Sequence, residues 1–79
     1  MPESDLTLDM LIIGDSAHIT SLNSNPLSLQ LLEIGFIPGE LVSITGIAPF
    51  GDPIRLQLHS FELFIRREDA ALIHVEKIV

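Results

Sequence analysis

Apolar and polar residues alternate most regularly in the second half of the chain. Between residues 54 and 59 every second position is apolar, namely Ile54, Leu56 and Leu58. Side chains of a β-strand point alternately to opposite faces, so this segment is predicted to be a strand with one buried face. The segment 61–66 repeats the pattern after a single residue, which predicts a tight hairpin with three inward side chains, Phe61, Leu63 and Ile65.

A helix is predicted over Pro26–Ile34, because the residues at both of its ends are types that start and stop helices. Asn25 can cap the first turn, and Pro26 suits the first helical position. Gly35 can adopt the left-handed conformation that ends a helix, and Pro38 cannot continue one. The other predicted elements are strands over 18–22, 40–48 and 72–76, a turn over 49–53 and a helical turn over 67–71. The segment 6–13 is apolar without a clear period.

The predicted helix has apolar side chains on two faces. With about 100° between successive residues, one face carries Leu27, Leu31 and Ile34, and the nearly opposite face carries Leu29 and Leu32. The first face is expected to pack on the core. The second, with Phe36 just beyond the helix, is either covered by the apolar segment 6–13 or is a patch for a partner protein.

Five short strands and one helix in 79 residues predict a single all-β domain. We expect a small barrel of five to six short strands, with one inserted α-helix and a short helical turn. Closure of the sheet would remove the exposed edges that a small open sheet leaves. Nothing repeats along the chain and no linker divides it, so the domain spans residues 1–79, with residues 1–5 as a loose polar tail.

Composition limits the function further. Apolar residues make up 47% of the chain and charged residues only 19%, which excludes a disordered protein. Eleven acidic residues against four basic ones give a net charge of -7, and such a surface repels the phosphate backbone of nucleic acids. Two of the bases, Arg66 and Arg67, are expected to form solvated pairs with neighbouring carboxylates, namely Glu68, Asp69 or Glu76.

The sequence predicts a cytoplasmic location. Residues 1–5 are acidic where a secretory signal would be basic, and no window reaches the ~20 apolar residues of a membrane span. The chain has no cysteine, which agrees with a reducing compartment. A protein that is not inserted in the membrane is therefore expected.

No group of residues indicates catalysis. The chain lacks a cysteine nucleophile and a Gly-x-Ser-x-Gly motif, and Gly51-Asp52-Pro53 has neither the lysine nor the helix of a phosphate-binding loop. A barrel of this size is filled by its own side chains and leaves no cavity for a substrate. The protein is therefore predicted not to be an enzyme and to need no cofactor.

Three histidines, His18, His59 and His74, raise the question of a metal site. Their spacing fits no known ligand motif, so ordinary strand or edge histidines are the simplest interpretation. His59 and Glu62 flank the predicted hairpin turn and are the weak candidates for a divalent site. Such a site would hold iron or zinc with two protein ligands.

The turn over residues 49–53 is the second candidate for partner binding. Its residues are Pro49, Phe50, Gly51, Asp52 and Pro53, so prolines frame an aromatic side chain. Phe50 would be a rigid anchor if it faced the partner. The alternative is a structural turn in which Phe50 is tucked against the barrel.

Three stretches of the chain resemble a known family. Leu31–Gly39 is similar to a family element in which a helix ends in Leu-Glu-Leu-Gly before an apolar pair and Pro-Gly. Ala48–Ile54 resembles the family segment Ala-Pro-Leu-Gly-Asp-Pro-Ile almost letter for letter. Leu63–Ala70 and Ile73–Glu76 resemble its C-terminal strand, turn and last strand. The family is that of the ferrous iron transport protein A, FeoA, and the resemblance extends from about Leu8 to Glu76.

This resemblance implies an SH3-like barrel and an accessory role in ferrous iron transport. The implied partner is the cytoplasmic domain of the iron permease FeoB, and the protein itself is expected to be a monomer or a weak homodimer. Many family members have Arg or Lys where this chain has Gln30, and often another base in place of Leu29. The expected partner-binding residues are Leu29, Gln30, Leu32, Phe36, Pro49, Phe50, Gly51, Asp52 and Pro53.

Two other functions remain open from the sequence. A related domain forms the C-terminus of iron-dependent repressors, which would make the chain a metal-responsive regulatory domain. A general peptide-binding barrel without a link to iron is the other alternative.

Overall fold

The strand-rich architecture predicted from the alternating pattern is present. A computed structural model describes residues 6–78. Its strands are β1 Ser16–Leu22, β2 Leu41–Ile47, β3 Ile54–Leu58, β4 Phe61–Ile65 and β5 Ile73–Lys77. Helix α1, Pro26–Ile34, lies between β1 and β2, and the one-turn helix α2, Arg67–Ala70, lies between β4 and β5. A 3-10 turn, Leu8–Met10, precedes β1.

The strands form one antiparallel sheet in the order β4-β3-β2-β1-β5. Strands β4 and β5 are therefore the ends of the hydrogen-bonded sheet, and within residues 6–78 they do not pair with each other. The outer edge of β5 is covered by the start of the described chain. Thr7 bridges to His74, and the Val75 N–H donates to the Leu6 carbonyl at 3.0 Å.

The core is built from the inward residues of the strands. Ile54, Leu56 and Leu58 of β3 are all fully buried, as their alternation predicted. In β4, Ile65 is buried and Leu63 is partly buried. Phe61 lies on the predicted face, because it is paired with the buried Leu58, but its side chain is 44% exposed. Phe61 directly follows the hairpin turn, and its ring lies 6.0 Å from the ring of His59 rather than in the core.

The ends of α1 confirm the capping signals. Asn25 is extended, and its side-chain oxygen accepts the Leu27 N–H at 2.9 Å. The Gly35 N–H donates to the carbonyls of Leu31 and Leu32, and Gly35 has a φ of 129°. This positive φ turns the chain sharply at the end of the helix, and glycine adopts it without the clash of a Cβ atom.

The apolar segment 6–13 does not cover the outer face of α1. It packs with Leu8 and Leu11 into the core, and its 3-10 turn lies against α2 and β5. Leu29 on the outer face of α1 is still 66% exposed. The alternative in which segment 6–13 covers the outer face is therefore wrong, and this face of α1 is exposed to solvent.

Candidate interaction surfaces

Helix α1 is mostly exposed to solvent and has an apolar surface. Of its nine residues only Leu31 is buried. Leu27 and Ile34, which were expected to face the core with Leu31, are each more than two-fifths exposed. The strand side chains already fill the core, so the helix reaches it through one side chain of its own. We call the exposed group the α1 surface; it consists of Leu27, Leu29, Gln30, Leu32 and Ile34.

Phe36 does not belong to this surface, contrary to the expectation from the sequence. Its side chain is fully buried and is among the largest side chains in the core. The turn at Gly35 redirects the chain, and the Phe36 N–H donates to the Leu31 carbonyl at 3.0 Å. Phe36 therefore anchors the end of the helix to the core and cannot contact a partner.

The second candidate surface is the loop between β2 and β3, residues 49–53, which we call the Phe50 loop. Phe50 is 100% exposed, so the alternative in which it is tucked against the barrel is wrong. The loop is nevertheless held by hydrogen bonds. The Gly51 N–H donates to the Ala48 carbonyl at 2.7 Å, and the Ala48 N–H donates to the Pro53 carbonyl at 3.1 Å.

Arg67 fixes the Phe50 loop from outside. Its Nε donates to the Gly51 carbonyl at 2.7 Å, and its backbone N–H donates to Asp52 Oδ1 at 3.0 Å. Its Nη1 donates to the Asp9 carbonyl at 2.5 Å, which joins the loop to the 3-10 turn. The expected ion pairs of Arg67 with carboxylates of its own segment are not formed among residues 6–78. Its acceptors are distant in sequence, so no local pattern could have indicated this role.

Arg66 lies beside the same loop and is exposed. It borders a surface cavity of about 340 Å³ together with Asp52 and Pro53. The expected pairing of Arg66 with Glu68, Asp69 or Glu76 is also absent, since no carboxylate within residues 6–78 lies within ion-pair distance of it.

The end of α1 and the Phe50 loop lie at opposite ends of the β2–β3 hairpin. A methyl group added at Gly35 would lie 3.3 Å from Leu58, which places the end of α1 at the far end of β3. The Phe50 loop follows the pair Ile47–Ile54 at the other end of the same strands. Strand β3 rises by about 3.3 Å per residue, so about 13 Å separates its ends. The residues predicted to bind a partner therefore form two surfaces, not one.

The two weak metal candidates lie next to different charged residues. His59 Nδ1 lies 3.4 Å from Glu40 Oε2, whereas Glu62 Oε2 lies 3.8 Å from Arg55 Nε. Within residues 6–78 no three side chains among His, Asp and Glu converge as metal ligands would. His59 also borders a polar surface cavity of about 240 Å³ with Glu40, Leu41, Ser43 and Gln57. The arrangement supplies two adjacent ligand atoms at most.

The remaining pair at the edge of the sheet joins Asp15 to Lys77, whose Nζ lies 3.2 Å from Asp15 Oδ1. The Ile12 N–H donates to the Asp15 carboxylate, and this hydrogen bond, with a smaller contribution from Lys77, lowers the pKa of Asp15 below its ordinary value of 3.8. This pair accounts for the single lysine of the described chain. In that part of the chain, no helix has the length and apolar character needed to cross a membrane.

Comparison with known proteins identifies relatives of the whole domain. The family model described as the FeoA domain matches residues 6–77. A curated relative from Porphyromonas gingivalis, the Fe(2+) transport protein A/Fe(2+) transporter FeoB fusion protein, is 34% identical over 74 residues. The match covers 92% of this chain but only 9% of the fusion protein.

Solved structures show the same fold. Iron(II) transport protein A from Clostridium thermocellum is 36% identical with a TM-score of 0.86, over 92% of this chain and 46% of that one. The zinc-complexed FeoA of Stenotrophomonas maltophilia, described as a prokaryotic SH3 domain protein, is 26% identical with a TM-score of 0.80, over 90% and 89% of the two chains. The five-stranded fold described above is therefore SH3-like.

The same fold occurs as part of a larger chain. T. acidophilum IdeR has a TM-score of 0.83 at 21% identity, over 99% of this chain and 36% of that one. At this level of identity the likeness concerns the fold alone.

Proposed function

The chain belongs to the FeoA domain family, and from this membership we propose that it is a small cytoplasmic accessory protein that binds the cytoplasmic domain of the iron permease FeoB. The Porphyromonas gingivalis relative supports this partner, since a fusion protein keeps its two parts at a high effective concentration. Two parts that act on each other gain from such a connection.

The α1 surface is the proposed docking site. A helix of nine residues with one buried side chain leaves four leucine and isoleucine side chains in solvent. Exposed apolar side chains on one short helix indicate a binding site, because burial against a partner removes them from water. An apolar helix face fits a hydrophobic groove of a partner. Glu33 is the only charged residue of α1, so the interaction through this helix is mainly apolar.

Binding would act on the permease by favouring one of its states. A ligand shifts a conformational equilibrium only as far as its affinities for the two states differ. This proposed role uses the surface of the domain alone. It requires no cofactor and no catalytic residue.

Titration calorimetry with the soluble domain of the permease tests this proposal. The variant Leu29→Ser/Leu32→Ser should weaken binding about tenfold or more, because it removes the two leucine side chains of the outer face of α1. The matched control is Ile12→Ser/Ile13→Ser, which alters two exposed apolar side chains outside α1.

The control variant should bind like the wild-type chain. If both variants lost the same amount of affinity for the permease domain, exposed apolar side chains in general, and not those of α1, would account for binding. Circular dichroism of both variants establishes that they are folded before the affinities are compared.

A further inference from the structure

Three of the four basic residues are engaged within the domain. Arg55 lies 3.8 Å from Glu62 and donates to the Thr45 carbonyl at 2.8 Å. Lys77 pairs with Asp15. Arg67 donates to backbone carbonyls at the Phe50 loop and the 3-10 turn. Among residues 6–78, Arg66 alone of these four has no such partner.

Arg66 borders the Phe50 loop, which carries the most exposed aromatic side chain of the described chain. Arg66, Asp52 and Pro53 border one cavity, and Phe50 precedes Asp52 by two residues. The Asp52 carboxylate is already an acceptor for the Arg67 N–H. Aromatic and arginine side chains are enriched in protein interfaces, and here one of each stands at the same edge of the fold.

The loop that presents Phe50 has a fixed conformation. Arg67 holds the carbonyl of Gly51 and the side chain of Asp52, and two backbone hydrogen bonds close the loop at Ala48. A loop that is ordered before binding loses less conformational entropy when a partner binds to it. Phe50 is therefore exposed on a rigid support and not on a freely moving segment.

We propose that Phe50 and Arg66 form a second contact site for the permease, and that the segment bound there carries a carboxylate next to an apolar side chain. The proposal rests on the proposed function and adds the chemistry of the partner. The chain has a net charge of -7, and Arg66 is the one basic side chain of residues 6–78 without a partner there. A carboxylate complements Arg66, and an apolar side chain complements Phe50. This site is separate from α1, because the Phe50 loop lies at the other end of the β2–β3 hairpin from the end of the helix.

The test is a series of calorimetric titrations of the permease's soluble domain with charge variants at Arg66. Arg66→Lys should bind nearly like the wild-type chain, Arg66→Gln should bind about threefold to tenfold more weakly, and Arg66→Glu more weakly still. Phe50→Ala should weaken binding about tenfold or more. The difference between wild type and Arg66→Gln should shrink as salt is raised from 0.05 M to 0.5 M, because salt screens an exposed ion pair.

Arg55→Gln is the matched control, since it removes the same charge from another exposed site. It should leave the affinity for the permease domain unchanged. If Arg66→Glu and Phe50→Ala bind like the wild-type chain while Leu29→Ser/Leu32→Ser does not, the second site is refuted and the proposed function stands. Equal effects of Arg55→Gln and Arg66→Gln would also refute it, because only the net charge would then matter. Absence of binding by the wild-type chain would overturn both proposals.

Discussion

Single residues with unusual backbone or contact requirements determine where the chain turns. Gly35 ends α1 with a φ of 129°, and a methyl group there would lie 3.3 Å from Leu58. Gly14 also has a positive φ, of 95°, but a methyl group at that position would meet nothing within 4 Å. Alanine substitutions at the two positions therefore distinguish the cost of backbone strain, which both share, from the cost of a side-chain clash, which only Gly35 has.

Gly35→Ala should destabilise the fold more than Gly14→Ala. Backbone strain alone costs an alanine about 1–2 kcal/mol at such positions. Gly35→Ala adds a close contact with the buried Leu58 side chain. Urea unfolding of the two variants measures the difference directly. Equal losses of unfolding free energy would show that the contact with Leu58 relaxes without cost.

At the scale of elements, the strands and α1 could be predicted because their signals are local. The alternation at 54–58, the cap at Asn25 and the stop at Gly35 each lie within the element they define. The burial of α1 could not be predicted from its own sequence. The domain has one small core, and strand side chains occupy most of it, so few helix side chains can be buried there.

The residues of the candidate surfaces could be predicted only in part. Leu29, Leu32 and Phe50 are exposed as a binding site requires, but Phe36 is buried because the turn at Gly35 directs it inward. Arg67 was missed as the support of the Phe50 loop because one of its acceptors lies 58 residues away in sequence. Contacts at that separation depend on the completed fold and leave no mark in a local pattern.

Helix α1 should be the least stable helical or strand element around the sheet, because only Leu31 holds it to the core from within the helix. Its amide protons are expected to exchange with solvent faster than those of β3, whose inward side chains are all buried. Asn25→Ala removes the cap and should destabilise the helix by about 1 kcal/mol, so that exchange in α1 rises further while exchange in β3 stays constant.

Asn25→Asp is the control for this prediction, since an aspartate side chain can accept the same Leu27 N–H. Hydrogen exchange followed by NMR resolves the two elements. If exchange in β3 rose in parallel with α1 in the Asn25→Ala variant, the helix would unfold only with the whole domain. The open helix would then be firmly coupled to the sheet.

For the whole molecule, the net charge of -7 opposes the association that its apolar α1 surface favours. Two copies that bury α1 against each other gain from removing leucine side chains from water. They also bring two acidic domains, each about 33 × 29 × 24 Å, into contact. At 0.01 M salt the screening length is about 30 Å, comparable to the domain itself, and at 0.15 M it is about 8 Å. Repulsion between copies should therefore dominate only at low salt.

Sedimentation velocity over a salt series tests this balance. The chain should be monomeric at 0.01 M salt and should form a weak dimer at higher salt and high protein concentration. Leu29→Ser/Leu32→Ser should remain monomeric throughout, whereas Ile12→Ser/Ile13→Ser should associate like the wild-type chain. A dimer that grew stronger as salt was lowered would mean that attraction between charged groups holds the copies together. In that case ion pairs between opposite charges on the two copies would outweigh the repulsion of their net charges, and burial of α1 would not be the main attraction.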